Sequence, residues 1–348
     1  MDKIVVFRKI VPEIFEMLER RYRLLRTILF LAPVGRRALA QRLAIPERRV
    51  RNEIEVLREA NLVTIDSAGM RITPEGEEVL NELKNYIREI YGLTELEKSL
   101  AQMLGIKKVI VVPGDSDSDE VVKKDLATAT ARFLRKVVKD HDILAVTGGS
   151  TLSEVANSFP TERIARNITV VPARGGLGED VNLQANSIAA NLANRLGGQY
   201  RLLHAPDNVE PDLIKTIVNE PRIRDVIELG KNAQVLLHGI GTVEEMARRR
   251  GLDQNQLNQI LERGAVGEAF GYYFDAAGQI VYSTSSVGLR LEDLAKIPLV
   301  IAVGGGERKA LAVLAVVSTG YCDVCITDEG AAWRLMNLKT KGGRKNDN

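Results

Sequence analysis

The run Thr147-Gly148-Gly149-Ser150-Thr151 has the residue types that hold a phosphate group. It follows the apolar stretch 143–146 and precedes a helical pattern. Glycines let the backbone approach an anion closely, and the N–H groups of a first helical turn point at that anion. Serine and threonine add hydroxyl donors. The sequence therefore predicts a phosphate-binding loop between a strand and a helix.

Three further glycine-bearing turns follow apolar stretches, and two of them carry a cation. Arg174 opens one turn, 239–241 forms the second, and Lys309 closes the third. Arginine binds phosphate as a bidentate donor and lysine as a point charge. Glu268 lies in another glycine-rich stretch, where a carboxylate suits sugar hydroxyls. Together the turns predict a ligand with several anionic and polar contacts.

The elements that position these turns alternate between strands and helices from Lys107 onward. This alternation is typical of a doubly wound α/β domain with a parallel sheet, in which ligands bind at the carboxyl ends of the strands. The predicted strands are 109–112, 143–146, 168–171, 235–237, 299–303 and 324–326.

Arginine is concentrated near the beginning of the chain. The whole sequence of 348 residues carries a net charge of +2, whereas residues 20–60 contain eleven Arg, four Glu and no Lys. Such a local excess of positive charge indicates a surface that contacts nucleic-acid phosphates. The alternative is a solvated helical face.

The arginine-rich stretch has the pattern of a winged helix-turn-helix. A short helix ends near Ala44, and a second helix buries the stripe Val50, Ile54 and Leu57. A hairpin over 61–73 follows as the wing. The outward positions on the second helix suit the major groove, where Arg reads guanine and Asn reads adenine. The predicted DNA-binding residues are Arg48, Arg49, Arg51, Asn52 and, on the wing, Arg71. The alternative is a small helical module that binds another protein.

A long helix is predicted to begin at Pro74 and to connect the two parts of the chain. Its apolar residues step by four and three, a heptad spacing, which favours a dimer contact and equally favours packing on its own domain. Gly92 and a capping box from Thr94 to Glu97 predict a restart of the helix. The heptad positions are Val79, Leu83, Tyr86, Ile90 and Leu93.

Composition predicts a cytoplasmic protein. No apolar stretch reaches the length of about 18 residues that a membrane span requires, and the N-terminus lacks the pattern of a signal peptide. Cys322 and Cys325 are the two cysteines, and we expect a structural role for them rather than a disulfide or a metal site.

Enzymatic chemistry would require a positioned acid–base group. Of the three histidines, His238 is the candidate because it lies at the carboxyl end of a predicted strand, whereas His141 and His204 are expected to be structural or exposed. The acidic stretch 115–119 could hold a metal ion, but a solvated loop is the expected reading. We therefore predict no catalytic residues and no metal site.

The C-terminal part resembles the sugar-binding domain of SorC/DeoR-type transcription regulators, which is itself similar to phosphosugar isomerases. Related deaminases have a histidine after the glycines at 239–241, and this sequence lacks it. The residues that carry the resemblance are Thr147–Thr151, 181–186, 238–241 and 327–331.

The resemblance, with the long winged head, implies a non-enzymatic repressor that acts on a glycolytic operon. It implies operator DNA and a phosphosugar as partners, a homo-oligomer (dimer or tetramer), and no cofactor beyond an effector such as fructose-1,6-bisphosphate. The implied effector-binding residues are Thr147, Gly148, Gly149, Ser150, Thr151, Arg174, Glu268 and Lys309. A phosphosugar isomerase fused to a DNA-binding head remains the alternative.

The same reading implies four segments of the chain. They are a winged helix-turn-helix domain over 1–74, a connecting helix over 75–105, a phosphosugar-binding domain over 106–340 and a polar tail over 341–348.

Overall fold

A computed structural model describes residues 9–159, 167–177, 180–207 and 209–342. The chain divides into two compact units, one through Glu95 and one from Leu96 onward. Most of the polar tail predicted over 341–348 lies outside the described residues, and Gly342 still belongs to the last helix.

The first unit is a bundle of helices with one β-hairpin. Its elements are α1 (Pro12–Leu31), α2 (Arg36–Leu43), α3 (Glu47–Glu59), β1 (Val63–Asp66), β2 (Gly69–Ile72) and α4 (Pro74–Ile90). Helix α1 starts well before residue 20, the start that sequence analysis predicts. Fully buried side chains begin at Tyr22, but Phe15 and Leu18 continue the same helical spacing before it, and Leu18 packs against the core. Sequence analysis missed this earlier part of the pattern.

A single apolar core holds this unit together. Leu24 and Ile28 of α1 pack with Val50 and Ile54 of α3, and helix α4 adds Leu80 and Ile87 to the same cluster. Burying apolar area of this kind is the main force that stabilises a small domain. The compact unit therefore extends past the 1–74 predicted for the DNA-binding domain, because α4 completes its core.

The predicted heptad stripe on α4 is divided between core and solvent. Leu83 and Ile90 pack partly against the core of the first unit, whereas Tyr86 is exposed. The helix ends at Ile90, and helix α5 (Leu93–Leu104) starts at Leu93, so Thr94 lies inside the first turn rather than at the predicted cap. The connecting segment is thus two helices with a break at Gly92, which has a φ of 65°.

The second unit contains a seven-stranded sheet in which all paired strands are parallel. The order is β3-β12-β11-β7-β4-β5-β6. The strands are β3 (Lys108–Val112), β4 (Ile143–Val146), β5 (Thr169–Pro172), β6 (Gln199–Tyr200), β7 (Val235–Gly239), β11 (Leu299–Val303) and β12 (Val324–Asp328). Six of them match the predicted strands, and β6 is an additional edge strand.

Helices flank this sheet, as expected for a doubly wound domain. Leu144 and Val146 of β4 pack in a core with Leu126, Leu152 and Ile188, which belong to three consecutive helices. The helices after α5 are α6 (Glu120–Val137), α7 (Ser150–Asn157), α8 (Ala185–Leu196), α9 (Pro211–Asn219), α10 (Pro221–Lys231), α11 (Val243–Arg249), α12 (Gln254–Glu262), α13 (Ala310–Val317) and α14 (Glu329–Gly342).

The order of the strands creates a switch point beside β4. From β4 the chain continues outward to β5 and β6, and it then returns to β7 on the other side of β4. Loops at the carboxyl ends of two such strands turn in opposite directions and leave a crevice between them. The loop at 147–151 and the turn at 239–241 border this crevice.

A small antiparallel sheet lies between β7 and β11 in the chain. It consists of β8 (Gly267–Ala269), β9 (Tyr272–Phe274) and β10 (Ile280–Ser283), in the order β10-β9-β8. Sequence analysis did not predict it, because two of its strands have only three residues, too few to display an alternating pattern. This sheet carries Glu268.

Candidate functional site

The loop after β4 has the geometry of an anion-binding helix terminus. Gly149 has a φ of 126°, a conformation that side-chain-bearing residues rarely adopt, and Gly148 passes so close to the Leu183 carbonyl that a Cβ would lie 2.7 Å from its oxygen. Helix α7 begins at Ser150 without a side-chain cap. The N–H groups of Ser150 and Thr151 are therefore left for a ligand.

An open cleft lies against this loop. All the sequence-predicted ligand residues line it, namely Thr147, Gly148, Gly149, Ser150, Thr151, Arg174, Glu268 and Lys309. Sequence analysis missed further polar residues of its lining, namely Gln184, Asp207, Glu245, Arg249 and Arg250.

Four buried charged side chains form one network along the cleft. Arg174 Nη2 lies 2.7 Å from Asp207 Oδ1, and Arg250 bridges Asp207 and Glu268, with Nη2 at 2.9 Å from Glu268 Oε1. Ser286 donates to Asp207 and accepts from Arg174 Nε at 2.9 Å. Arg174, which sequence analysis predicts as a source of positive charge for the ligand, is therefore already paired with a carboxylate.

Neighbouring opposite charges offset the burial of Asp207 and Arg250. Burial opposes ionisation of Asp207, but the guanidinium groups of Arg174 and Arg250 outweigh it and lower the pKa of this carboxyl. Burial also disfavours the charged form of Arg250, but Glu268 and Asp207 outweigh it and raise the pKa of this guanidinium. At Arg174, burial outweighs the nearby carboxylates and lowers the pKa of the guanidinium. Two arginines and two carboxyl groups, whose formal charges sum to zero, thus line the cleft as donors and acceptors. Arg174 Nη1 is buried without a hydrogen-bond partner among the described residues.

Lys309 and Arg249 both bring positive charge to the cleft, and Arg249 Nη1 lies 3.8 Å from the position that a Cβ on Gly149 would take. The Lys309 ammonium lies 3.3 Å from Glu245, and these two side chains are partly exposed. The turn before it is held by the acidic stretch 115–119, where Asp117 accepts from the Arg308 N–H at 2.8 Å and from its guanidinium at 2.9 Å. The expected solvated loop is therefore a structural support. Among the described residues, no cluster of histidine, cysteine and acidic side chains could hold a metal ion.

His238 points away from the cleft. Its ring packs 4.9 Å from the ring of Phe270 and, together with Cys322, lines a separate small pocket. Burial lowers the pKa of His238 to about 4, so its imidazole is neutral. Burial also raises the pKa of the Cys322 thiol to about 12 and that of Cys325 well above its usual value. These groups are suited to packing rather than to proton transfer.

Acidification is expected to destabilise the second unit through His238. Its pKa falls from 6.5 in the unfolded chain to about 4 in the folded one, so the unfolded state binds more protons and stability is lost as the pH falls from 6.5 towards 4. Between pH 7 and pH 5 the loss is about 2 kcal/mol. Urea unfolding at both pH values measures it, with His238→Asn as the control that lacks this contribution. Equal pH dependence in both proteins would contradict the prediction.

In the first unit, helix α3 presents a basic face. Val50, Ile54 and Leu57 are buried, as predicted. The predicted DNA-binding residues Arg48, Arg49, Arg51, Asn52 and Arg71 are all exposed. Arg71 lies on the hairpin, and its Nε is 3.7 Å from Asp66 Oδ2. This arrangement suits insertion of α3 into the major groove, with the hairpin beside it.

A buried carboxylate fixes the back of helix α3, a feature that sequence analysis missed. Glu53 accepts from Arg20 Nη1 at 2.9 Å and from Arg21 Nε at 2.8 Å, and both arginines belong to α1. These two members of the arginine-rich stretch therefore orient the helix. The available signal was the position of Glu53 within the buried stripe, three residues after Val50.

Comparison with known families assigns both units. The model of a sugar-binding domain (Sugar-bind) matches residues 88–337, and that of the CggR N-terminal DNA binding domain matches residues 17–87. The chain is 41% identical to the central glycolytic genes regulator of Bacillus subtilis, over 94% of this chain and 97% of that protein. It is also 41% identical to the protein of the same name from Priestia megaterium, over 96% and 98% of the two chains.

A solved structure shares the fold across both units. The full-length sorbitol operon regulator SorC from Klebsiella pneumoniae superposes with a TM-score of 0.66 at 18% identity, covering 97% of this chain and 99% of that one. The curated relatives are transcriptional regulators, so the chain is a regulator and the isomerase alternative is set aside. Within the described residues, no helix is long and apolar enough to span a bilayer.

Proposed function

The chain belongs to the family of sugar-binding transcriptional regulators with a CggR-type DNA-binding head, and from that premise we propose that it represses a glycolytic operon and releases its operator when a phosphosugar binds. Fructose-1,6-bisphosphate is the proposed effector. The observation that carries the proposal is the meeting of the phosphate-type loop 147–151 with Arg174, Glu268 and Lys309 in one cleft.

The two ends of the cleft suit different parts of a phosphosugar. The first turn of α7 offers N–H groups and the hydroxyls of Ser150 and Thr151, and Lys309 adds a positive charge, a combination that favours phosphate. The neutral network of Arg174, Asp207, Arg250 and Glu268 offers fixed donors and acceptors to sugar hydroxyls. The unpartnered Nη1 of Arg174 supports a polar ligand atom beside it.

The proposed mechanism is thermodynamic linkage. An effector that binds one conformation of the repressor more tightly than the other shifts the population away from the operator-binding form. A dimer or tetramer fits this proposal because winged helix-turn-helix regulators commonly read paired half-sites. The assignment of the first unit to operator DNA and of the second to the effector, and a cytoplasmic location, are parts of the same proposal.

A thermal-shift panel of hexose, triose and pentose phosphates tests the effector. Thermal stabilisation grows with the ratio of ligand concentration to Kd. When all compounds are added at the same concentration, we therefore expect fructose-1,6-bisphosphate to raise the Tm more than the others. The same compounds are then added to the protein bound to labelled DNA from the upstream region of the glycolytic genes. Conversion of any phosphosugar to a product, or operator binding unaffected by every compound that raises Tm, would overturn the proposed function.

Substitutions on helix α3 test the DNA-binding surface. Arg51→Ala and Asn52→Ala are each expected to weaken operator binding by roughly 1–3 kcal/mol, the value of a base-specific contact, while effector-induced thermal stabilisation stays unchanged. Arg58→Ala, near the far end of the same helix, is the matched control and should have a smaller effect. Titration of operator and unrelated DNA at fixed salt measures both. Loss of effector-induced stabilisation in Arg51→Ala would contradict the separation of the two functions.

A further inference from the structure

The edge strand β3 is held on its open side by a carboxylate from helix α5. Its hydrogen-bonded neighbour in the sheet is β12. On the other side, the Val111 N–H donates to Glu97 Oε1 at 2.6 Å. Leu96 and Leu100 of α5 are buried on either side of this contact. This hydrogen bond therefore links helix α5 to strand β3, so that a displacement of one element displaces the other.

The carboxyl end of β3 is held by a second set of carboxylate contacts. The loop that follows the strand places Asp117 against the backbone and the guanidinium of Arg308, at 2.8 and 2.9 Å. Asp115 Oδ1 accepts from the Glu307 N–H at 3.2 Å. These two acceptors take successive N–H groups of the single turn that ends at Lys309, so a displacement of this turn must move or break them.

The turn 307–309 is also the place where a ligand would act. Lys309 lines the cleft and lies 3.3 Å from Glu245. A phosphate that contacts the Lys309 ammonium competes with the Glu245 carboxylate for this cation. The ammonium must then move in order to contact both anions. Charge-assisted hydrogen bonds are strong and directional. The contacts between Asp117 and Arg308, the residue next to Lys309, therefore move together with the Lys309 ammonium. A strand with one sheet neighbour can follow more easily than a central strand with two.

We propose that Asp117 and Glu97 are positioning residues. They transmit the structural effect of ligand binding in the cleft through strand β3 to helix α5. The inference rests on the proposed function, since it concerns how the effector response leaves its site. Helix α5 continues the chain from the DNA-binding unit, so a displacement of α5 alters the segment that joins the two units. Neither carboxylate lies in the lining of the cleft.

Two substitutions of Glu97 in the full chain separate binding of the effector from the response to it. We expect Glu97→Ala to keep the Kd for fructose-1,6-bisphosphate, from thermal shift, within about twofold. The ratio of operator Kd with and without the compound, typically about 5–150-fold in allosteric proteins, should fall at least fivefold. Glu97→Gln should restore the response, because the amide oxygen still accepts from Val111 N–H. Glu95→Ala, an exposed carboxylate on the same helix, is the matched control.

Asp117→Ala provides an independent test at the other end of β3. We expect the operator response to fall as in Glu97→Ala, with an additional loss of effector affinity of roughly tenfold because the Lys309 turn loses its support. A full operator response in both alanine variants would overturn the inference while leaving the proposed function intact. A wild-type protein whose operator affinity is indifferent to the compound would contradict the proposed function and this inference with it.

Discussion

Replacing Arg250 by alanine is expected to destabilise the second unit by about 3–5 kcal/mol, because the substitution leaves two buried carboxylates without their shared cation. Arg250 bridges Asp207 and Glu268, and all three side chains are almost inaccessible to solvent. Urea unfolding measures the effect. Trp333, the single tryptophan of the sequence, lies in the second unit and reports on its unfolding by fluorescence.

A surface ion pair provides the control for this substitution. Lys231 lies 2.8 Å from Glu228 on an exposed helix face. Exposed pairs contribute roughly 0–1 kcal/mol, so Lys231→Ala should unfold at nearly the wild-type urea concentration. If Arg250→Ala and Lys231→Ala lost the same small amount of stability, the buried network could not be the element that holds the cleft together.

Gly148→Ala is expected to weaken effector binding about a hundredfold. The added Cβ would lie 2.7 Å from the Leu183 carbonyl oxygen and 3.2 Å from the Ala185 nitrogen, and both are backbone atoms that cannot simply rotate away. The loop must therefore shift and lose its alignment with the phosphate, and each charge-assisted hydrogen bond lost costs roughly 1.5–3 kcal/mol. Isothermal titration with fructose-1,6-bisphosphate measures the change in Kd.

The same substitution at Gly230 provides the matched control. Its added Cβ would meet the Leu289 side chain at 3.4 Å, an ordinary contact. Gly230→Ala should therefore keep wild-type affinity for the effector, and both variants should keep wild-type affinity for operator DNA. An unchanged Kd for the effector in Gly148→Ala would show that the ligand does not use the loop after β4.

Much of the fold follows from sequence patterns with a clear physical basis. Two strands of the large sheet, Ile143–Val146 and Leu299–Val303, match their predicted bounds because both are apolar runs that end in glycine turns. The three-stranded sheet was not predictable in the same way, because strands of three residues carry no hydrophobic period. The start of α1 could have been predicted, because Phe15 and Leu18 continue the helical spacing of Tyr22 and Leu25.

The cleft was predictable to the extent that its residues lie at the ends of consecutive strands. Arg174 and Lys309 stand out in the sequence because each adjoins a glycine turn. Asp207 does not, because it lies in an irregular segment and gains its role from Arg174 and Arg250, 33 and 43 residues away. Sequence patterns identify donors and acceptors, but they do not reveal which of them neutralise one another across the fold.

The charge count of the first unit shows the same limitation. The eleven arginines of residues 20–60 predict a phosphate-binding surface, but Arg20 and Arg21 are engaged by Glu53. No local spacing links α1 to α3, so a count along the chain assigns these side chains to DNA. The exposed side chains of Arg48, Arg49 and Arg51 were predictable because the apolar stripe of α3 fixes which face is buried.

The two ends of the parallel sheet also bear on the behaviour of the protein at high concentration. An exposed edge strand is a template on which another chain can add a strand, which leads to aggregation. Here β6 is two residues long, and the open side of β3 is engaged by Glu97 at Val111. A variant that loses this carboxylate contact would expose the longer edge of the sheet to neighbouring molecules. We therefore expect Glu97→Ala to aggregate at lower protein concentrations than the wild-type protein.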